Sequence, residues 1–165
     1  MASIVLDTNI LSIFAELDQL EFLTTVLRKH ELVVTPAIYQ EISTGIKRGH
    51  KHLQPVLDLV GEGKTIDIVS IPSDEKKQLA TLPSTLGQGE AESIVVCLSR
   101  GWIFSSFDRK AVKFCRQNGV AVITLNDILA AAWKGKFTTK RKVRAIIRQI
   151  EATGRTLKAK DEILK

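Results

Sequence analysis

At 165 residues the chain has the length of one domain and no room for a second. Hydrophobic residues make up 44% and charged residues 25%, close to globular averages, which excludes a disordered or collagen-like chain. The formal net charge of +6 is unevenly spread: residues 134–165 hold 11 Lys and Arg against Glu151, Asp161 and Glu162, a basic end that favours a polyanionic partner through counterion release.

In chain order, the apolar run at residues 3–6 predicts a strand that stops at Asp7, followed by helices over 8–15 and 18–29. Residues 32–34 predict a second strand, and Thr35-Pro36 supplies a cap and a first-turn proline for a helix over 36–48. The segment RGHKH reads as a solvated basic loop, and the helix expected over 51–61 ends at Gly61. A third strand is expected over 66–70, with helices over 73–81 and 89–100, the latter stopped by Gly101. A fourth strand at 102–105, a helix over 108–117, a fifth strand at 120–123 and a helix over 126–134 complete the alternation. The last helix starts near Thr138 or Thr139. Val143, Ile146, Ile147 and Ile150 form its apolar face, and Lys140, Arg141, Lys142, Arg144 and Arg148 fill the rest. Residues 153–165 read as a tail, loosely docked or ordered by a partner.

The strands are nearly continuous apolar runs, which suits a parallel sheet covered on both faces and hence an α/β doubly wound domain. No apolar run approaches the roughly 20 residues of a membrane helix, and MASIVLD meets an acid too early for a signal peptide, so a cytoplasmic protein without membrane contact is expected. Cys97 and Cys115 lie in apolar stretches and read as buried thiols, while His30, His50 and His52 match no metal-binding spacing.

Four acids interrupt this pattern. Asp7 ends the first strand and Asp108 follows the fourth, the ends at which open α/β sheets place their sites. Glu41 falls at the position of the 36–48 helix where the stripe of Ile38 and Ile42 calls for an apolar residue. Glu90 is in register with Ile94, Cys97 and Leu98, as Asp108 is with Ala111, Val112 and Cys115. Singly, Asp7 or Asp108 reads as a helix cap and Glu90 as a complement to a helix dipole. Together in one partly desolvated pocket, such acids take up protons unless a cation neutralises them. With no cysteine or suitable histidine among them the expected cation is Mg²⁺ or Mn²⁺. Beside a basic flank, this chemistry points to metal-assisted attack of water on a phosphodiester.

VLDTNIL, the acid of PAIYQEI, the segment GQGEAESIVVCLSRG and SSFDRKA resemble the motifs of PIN-domain nucleases. The resemblance covers about residues 3–135, and the GEAE-type helix start is similar to that of the VapC-like toxin nucleases of type II toxin-antitoxin pairs. It implies a PIN-like three-layer α/β/α domain with a five-stranded parallel sheet over residues 1–135, leaving 136–165 as a basic C-terminal helical extension packed on the same domain. It also implies an acidic pocket holding one or two Mg²⁺ or Mn²⁺ ions and an endoribonuclease acting on single-stranded RNA. Asp7, Glu41, Glu90 and Asp108 match the family's acids, with Asp7, Glu90 and Asp108 as metal ligands. Thr8, Asn9 and Ser106 match supporting polar positions, and Glu92, roughly 200° around the helix from Glu90, is accessory or structural. Glu at position 90 departs from the commoner Asp. Lys140, Arg141, Arg144 and Arg148 are the expected RNA contacts, and an antitoxin protein and a second copy of the chain are the further expected partners. Two rivals remain. A phosphatase-like enzyme using Asp7 as nucleophile would need an acid two residues on, where Asn9 stands; a catalytically inactive RNA- or protein-binding module would have no use for the acid cluster.

Overall fold

The computed structural model describes residues 2–165. Five short strands, β1 (Ile4–Leu6), β2 (Leu32–Val34), β3 (Ile66–Ile68), β4 (Ile103–Ser105) and β5 (Val122–Ile123), form one sheet in the order β3-β2-β1-β4-β5. Every pairing is parallel, with Ile4 opposite both Leu32 and Ile103. The chain moves outward from β1 to β3 and then crosses back to place β4 on the other side of β1. Strand order therefore reverses between β1 and β4, opening a crevice at their carboxyl ends.

Among the described residues ten α-helices flank the sheet: α1 (Thr8–Glu16), α2 (Leu20–Val26), α3 (Pro36–Lys47), α4 (Gln54–Leu59), α5 (Ser73–Leu79), α6 (Gln88–Arg100), α7 (Arg109–Gln117), α8 (Leu125–Lys134), α9 (Lys140–Ala152) and α10 (Lys160–Ile163). The two-residue period of the strands sorts the core into two layers. Ile4, Leu6, Leu32, Val34 and Ile66 pack in the cluster that holds the apolar faces of α1, α3, α8 and α9. Val5, Val33 and Phe104 face the other way, onto Ile94, Val96 and Cys97 of α6 and Ala111 and Cys115 of α7. The result is a three-layer α/β/α sandwich. Both cysteines are free and buried.

Several expected elements come out differently. The helix expected over 51–61 is a 3-10 turn at Lys51–Leu53 followed by α4, because Pro55 is tolerated only in a first turn. Val60 then leaves the helix in extended conformation and bridges Ile66. The helix expected over 18–29 shortens to α2, with Asp18 before it at φ 55°. His52 is no purely solvated loop residue, since its Nε2 lies 3.1 Å from Ser12 Oγ. His30 Nδ1 is 3.2 Å from the Ala2 carbonyl.

The tail expected to be loosely docked is folded back on the domain. Leu157 and Ile163, set among charges, are both buried in the cluster of α8 and α9, and Leu164 packs against it. Trp133 Nε1 donates to the Ile163 carbonyl at 2.6 Å and Asn126 Nδ2 to the Lys158 carbonyl at 2.8 Å. Among the described residues no helix is long and apolar enough to cross a membrane.

Candidate active site

Asp7 leaves β1 with its backbone still in the sheet, its N–H donating to the Ser105 carbonyl at 2.9 Å. The same residue is the N-cap of α1, Oδ1 accepting from Thr8 N–H at 2.9 Å. Strand end and cap are thus one position, and capping leaves the second oxygen available. Oδ2 accepts from the Ser106 hydroxyl at 2.7 Å. Ser106 is itself fully buried and accepts from Asn9 Nδ2 at 3.2 Å and from Asp108 N–H at 3.1 Å. Asn9 Oδ1 takes the Phe107 N–H at 3.3 Å. This chain of bonds ties the loop after β4 to the start of α1 and fixes the spacing of Asp7 and Asp108.

Asp108 caps α7, Oδ1 accepting from Ala111 N–H at 3.0 Å. Glu90 sits in the first turn of α6 and accepts from Gly87 N–H at 3.1 Å, half of a capping box whose other half a glycine cannot provide. Glu41 does not point to the buried side of α3. Its residue is exposed, and its carboxylate stands at the rim of the crevice, accepting from Thr8 Oγ1 at 2.5 Å and from Gly89 N–H at 3.2 Å. Gly89 permits this approach, because a Cβ there would lie 2.5 Å from Glu41 Oε1 and 2.6 Å from Ile38 Cδ1.

The buried acid of α6 is Glu92, at 8% exposure, with Leu98 turned outward at 41%. Glu92 Oε1 accepts from Ala37 N–H at 3.0 Å, satisfying a donor at the start of α3 that would otherwise lack a partner. It is not part of the crevice, and it locks α6 to α3 so that Glu41 and Glu90 face one another across it.

Asp7, Thr8, Asn9, Glu41, Glu90 and Asp108 line one cleft of 380 Å³, together with Ser12, Gly87 and Arg155. Burial pushes the Asp7 carboxyl from an ordinary 3.8 up to about 7, helped by the charges of Glu90 and Glu41 and opposed by the bonds from Ser106 and Thr8. Burial also raises Glu90, with Asp108 and Glu41 adding to the effect and the Gly87 N–H working against it. The neighbouring Cys115 thiol is pushed up to about 12, by burial first and then by Asp7 and Glu90. Acids held this way are short of positive charge.

The expected RNA contacts are not in the cleft. Lys140, Arg141, Arg144 and Arg148 are exposed along α9, Lys140 with its Nζ 4.3 Å from the centre of the Trp133 ring. Among the described residues the one cation lining the cleft is Arg155, which pairs with Glu16 at 2.7 Å. Nothing local in the sequence marks Arg155, since its place depends on the return of the tail. Ser12 and Gly89 have weak local signals at best, the first on a helix face and the second inside a glycine-rich turn.

Oxygen is the donor throughout the cleft, with no sulfur or imidazole in its lining, and that set suits a hard divalent cation. Among the described residues no three acids gather around one point closely enough to cage an ion as they stand. Glu41, Glu90 and Asp108 are instead drawn to backbone or hydroxyl donors, bonds with which ligation would compete.

A family model described as a PIN domain matches residues 3–162. The match runs through α9 and into α10, beyond the residues 3–135 that carry the motifs. No curated protein matches the chain.

Proposed function

Since the chain belongs to the PIN-domain family, whose fold is of nuclease type, we propose that it is a metal-dependent endoribonuclease that hydrolyses phosphodiester bonds of single-stranded RNA. One observation carries this reading. Four acids from four separate segments, the ends of β1 and β4 and the helices α3 and α6, line a single cleft at the reversal of strand order.

In this reading Asp7, Glu90 and Asp108 would hold one or two Mg²⁺ or Mn²⁺ ions. Bound there, the metal supplies a lowered pKa for the attacking water and neutralises charge developing on the phosphoryl oxygens. The chain's own residues do the rest. Ser106 and Thr8 N–H aim the Asp7 carboxylate, as positioning partners of ligands do elsewhere. In the same reading Glu41, exposed at the rim and steadied by Thr8 and Gly89, would orient the water and take its proton. Arg155 faces the same cleft and offers a cation to the phosphate. The exposed Lys140, Arg141, Arg144 and Arg148 of α9 supply sequence-independent attraction for the RNA backbone.

Cleavage of a single-stranded RNA by the purified protein in Mn²⁺ or Mg²⁺, against EDTA and beside Asp108→Asn, tests the proposal. Metal-dependent cutting that the variant loses supports it. The second reading is a catalytically inactive RNA- or protein-binding module, and RNA binding without cutting in either metal would establish that one. The toxin role is a further proposal with a genomic test: a small reading frame just upstream, encoding an antitoxin, supports it, and a solitary gene points to RNA processing.

A further inference from the structure

A second cleft, of 300 Å³, adjoins the acidic one and shares two of its walls. In the loop after β4, Asp108 lines the acidic cleft while its neighbours Phe107 and Arg109 line the second. In the returning tail, Arg155 lines the acidic cleft while Thr156, Leu157 and Lys158 line the second. The two cavities therefore lie beside one another, each walled by neighbouring residues of the same two segments, the loop after β4 and the returning tail.

The chemistry of this second part is different. Arg109, Arg116 and Lys158 bring three exposed cations and no acid to its lining. Among the described residues none of the three is in an ion pair. Beneath them Val112, Leu125 and Leu157 form a buried apolar floor. Thr124, Thr156 and Asn126 add hydroxyl and amide groups. The Asn126 amide nitrogen is committed to the Lys158 carbonyl, which leaves its oxygen to accept. Cations over an apolar floor with a few polar groups suit a ligand that is anionic at one end and a flat heterocycle at the other.

We propose that this cleft is a subsite for one unpaired nucleotide of the RNA chain, the one adjoining the phosphodiester held at the acidic cleft. Arg109, Arg116 and Lys158 hold its phosphate, and the apolar floor takes its base out of the stack. A concave pocket admits a base only when it is splayed from its neighbours, so the subsite selects single-stranded over duplex RNA. The inference deepens the nuclease reading and rests on it for the position of the scissile bond.

The test is binding of a short fluorescein-labelled oligoribonucleotide in EDTA, measured by anisotropy over a series of salt concentrations. Wild type is compared with Arg116→Ala/Lys158→Ala and with Thr156→Trp, which changes no charge and fills the cleft from an exposed position. We expect the double variant to bind roughly ten-fold more weakly and to lose up to about 0.7 from the slope of log K against log salt, the amount for one phosphate contact on a single strand. Thr156→Trp should weaken binding with the slope unchanged, and a duplex competitor should displace the oligonucleotide poorly. Wild-type affinity and slope in both variants would overturn the subsite, and metal-dependent cutting by the wild type would then leave the nuclease reading standing. Weakened binding in both variants with no cutting by the wild type would overturn the placement beside a scissile bond and the nuclease reading together, leaving an RNA-binding groove.

Discussion

Replacing Asp7 with Asn should stabilise the metal-free protein at neutral to alkaline pH. Asp7 is 3% exposed and its carboxyl is raised from 3.8 to about 7 by burial, with Glu90 and Glu41 nearby. The folded protein thus holds the Asp7 proton more tightly than the unfolded chain does. Its contribution is fully present below about pH 4, declines as pH rises and is lost once pH passes about 7. Ionised Asp7 withholds at most about 4 kcal/mol from folding, from 1.36 kcal/mol for each tenfold in proton affinity. Asn is nearly isosteric with the protonated acid and keeps an acceptor for Thr8 N–H, so it escapes this penalty. Urea unfolding followed by circular dichroism in EDTA should show Asp7→Asn more stable than wild type at about pH 8 by between about 1 and 4 kcal/mol. The gap should close toward about pH 4. Mn²⁺ should stabilise wild type at about pH 8 and reverse the order, because a cation bound only by the folded protein adds its binding free energy. A variant no more stable than wild type at about pH 8, with parallel pH profiles, would refute the claim that the cleft is an uncompensated acid cluster.

Substitutions at three further positions probe the supports of the cleft. Ser106→Ala removes the hydroxyl that lowers Asp7 and that accepts from Asn9 and Asp108 N–H; stability should fall by about 1–3 kcal/mol and metal-dependent cleavage should need a higher pH. Glu92→Ala strands the Ala37 N–H and should cost about 1–3 kcal/mol in urea unfolding, whereas Glu92→Gln keeps an acceptor and should recover most of the loss. Gly89→Ala brings a methyl to within 2.5 Å of Glu41 Oε1 and 2.6 Å of Ile38 Cδ1; it should cost about 1–3 kcal/mol through overpacking and lower kcat through displaced Glu41.

Asp7 and Asp108 were legible in the sequence because both chemistry and placement are local there: an apolar strand stops, an acid follows and a helix begins. The structure makes each of them a cap as well as a cleft residue, so the two readings of such an acid are not exclusive. The five strands were legible for a similar reason, their apolar runs being short and bounded by caps and glycines. Glu41 was misplaced by periodicity. It lies three residues after Ile38, at the margin of the stripe, where α3 borders the cleft.

In GEAE the stripe pointed to Glu90 as the inward acid, yet Glu92 is the buried one. Its partner, Ala37 N–H, lies 55 residues earlier, and no window of local sequence contains both. Arg155 and the docking of Leu157 and Ile163 were hidden in the same way, since a short charged tail looks solvated until α8 and α9 offer it an apolar seat.

The central claim, that the acidic cleft is built for a divalent cation, is tested most directly by calorimetric titration of Mn²⁺ into the metal-free protein in buffers of different ionisation enthalpy. Near pH 7, where an acid raised to about 7 is half protonated, the account predicts saturable binding with release of about half a proton, drawn chiefly from Asp7, and loss of both in Asp7→Asn. Saturable binding that persists unchanged in Asp7→Asn, or no binding by the folded wild type, would contradict it.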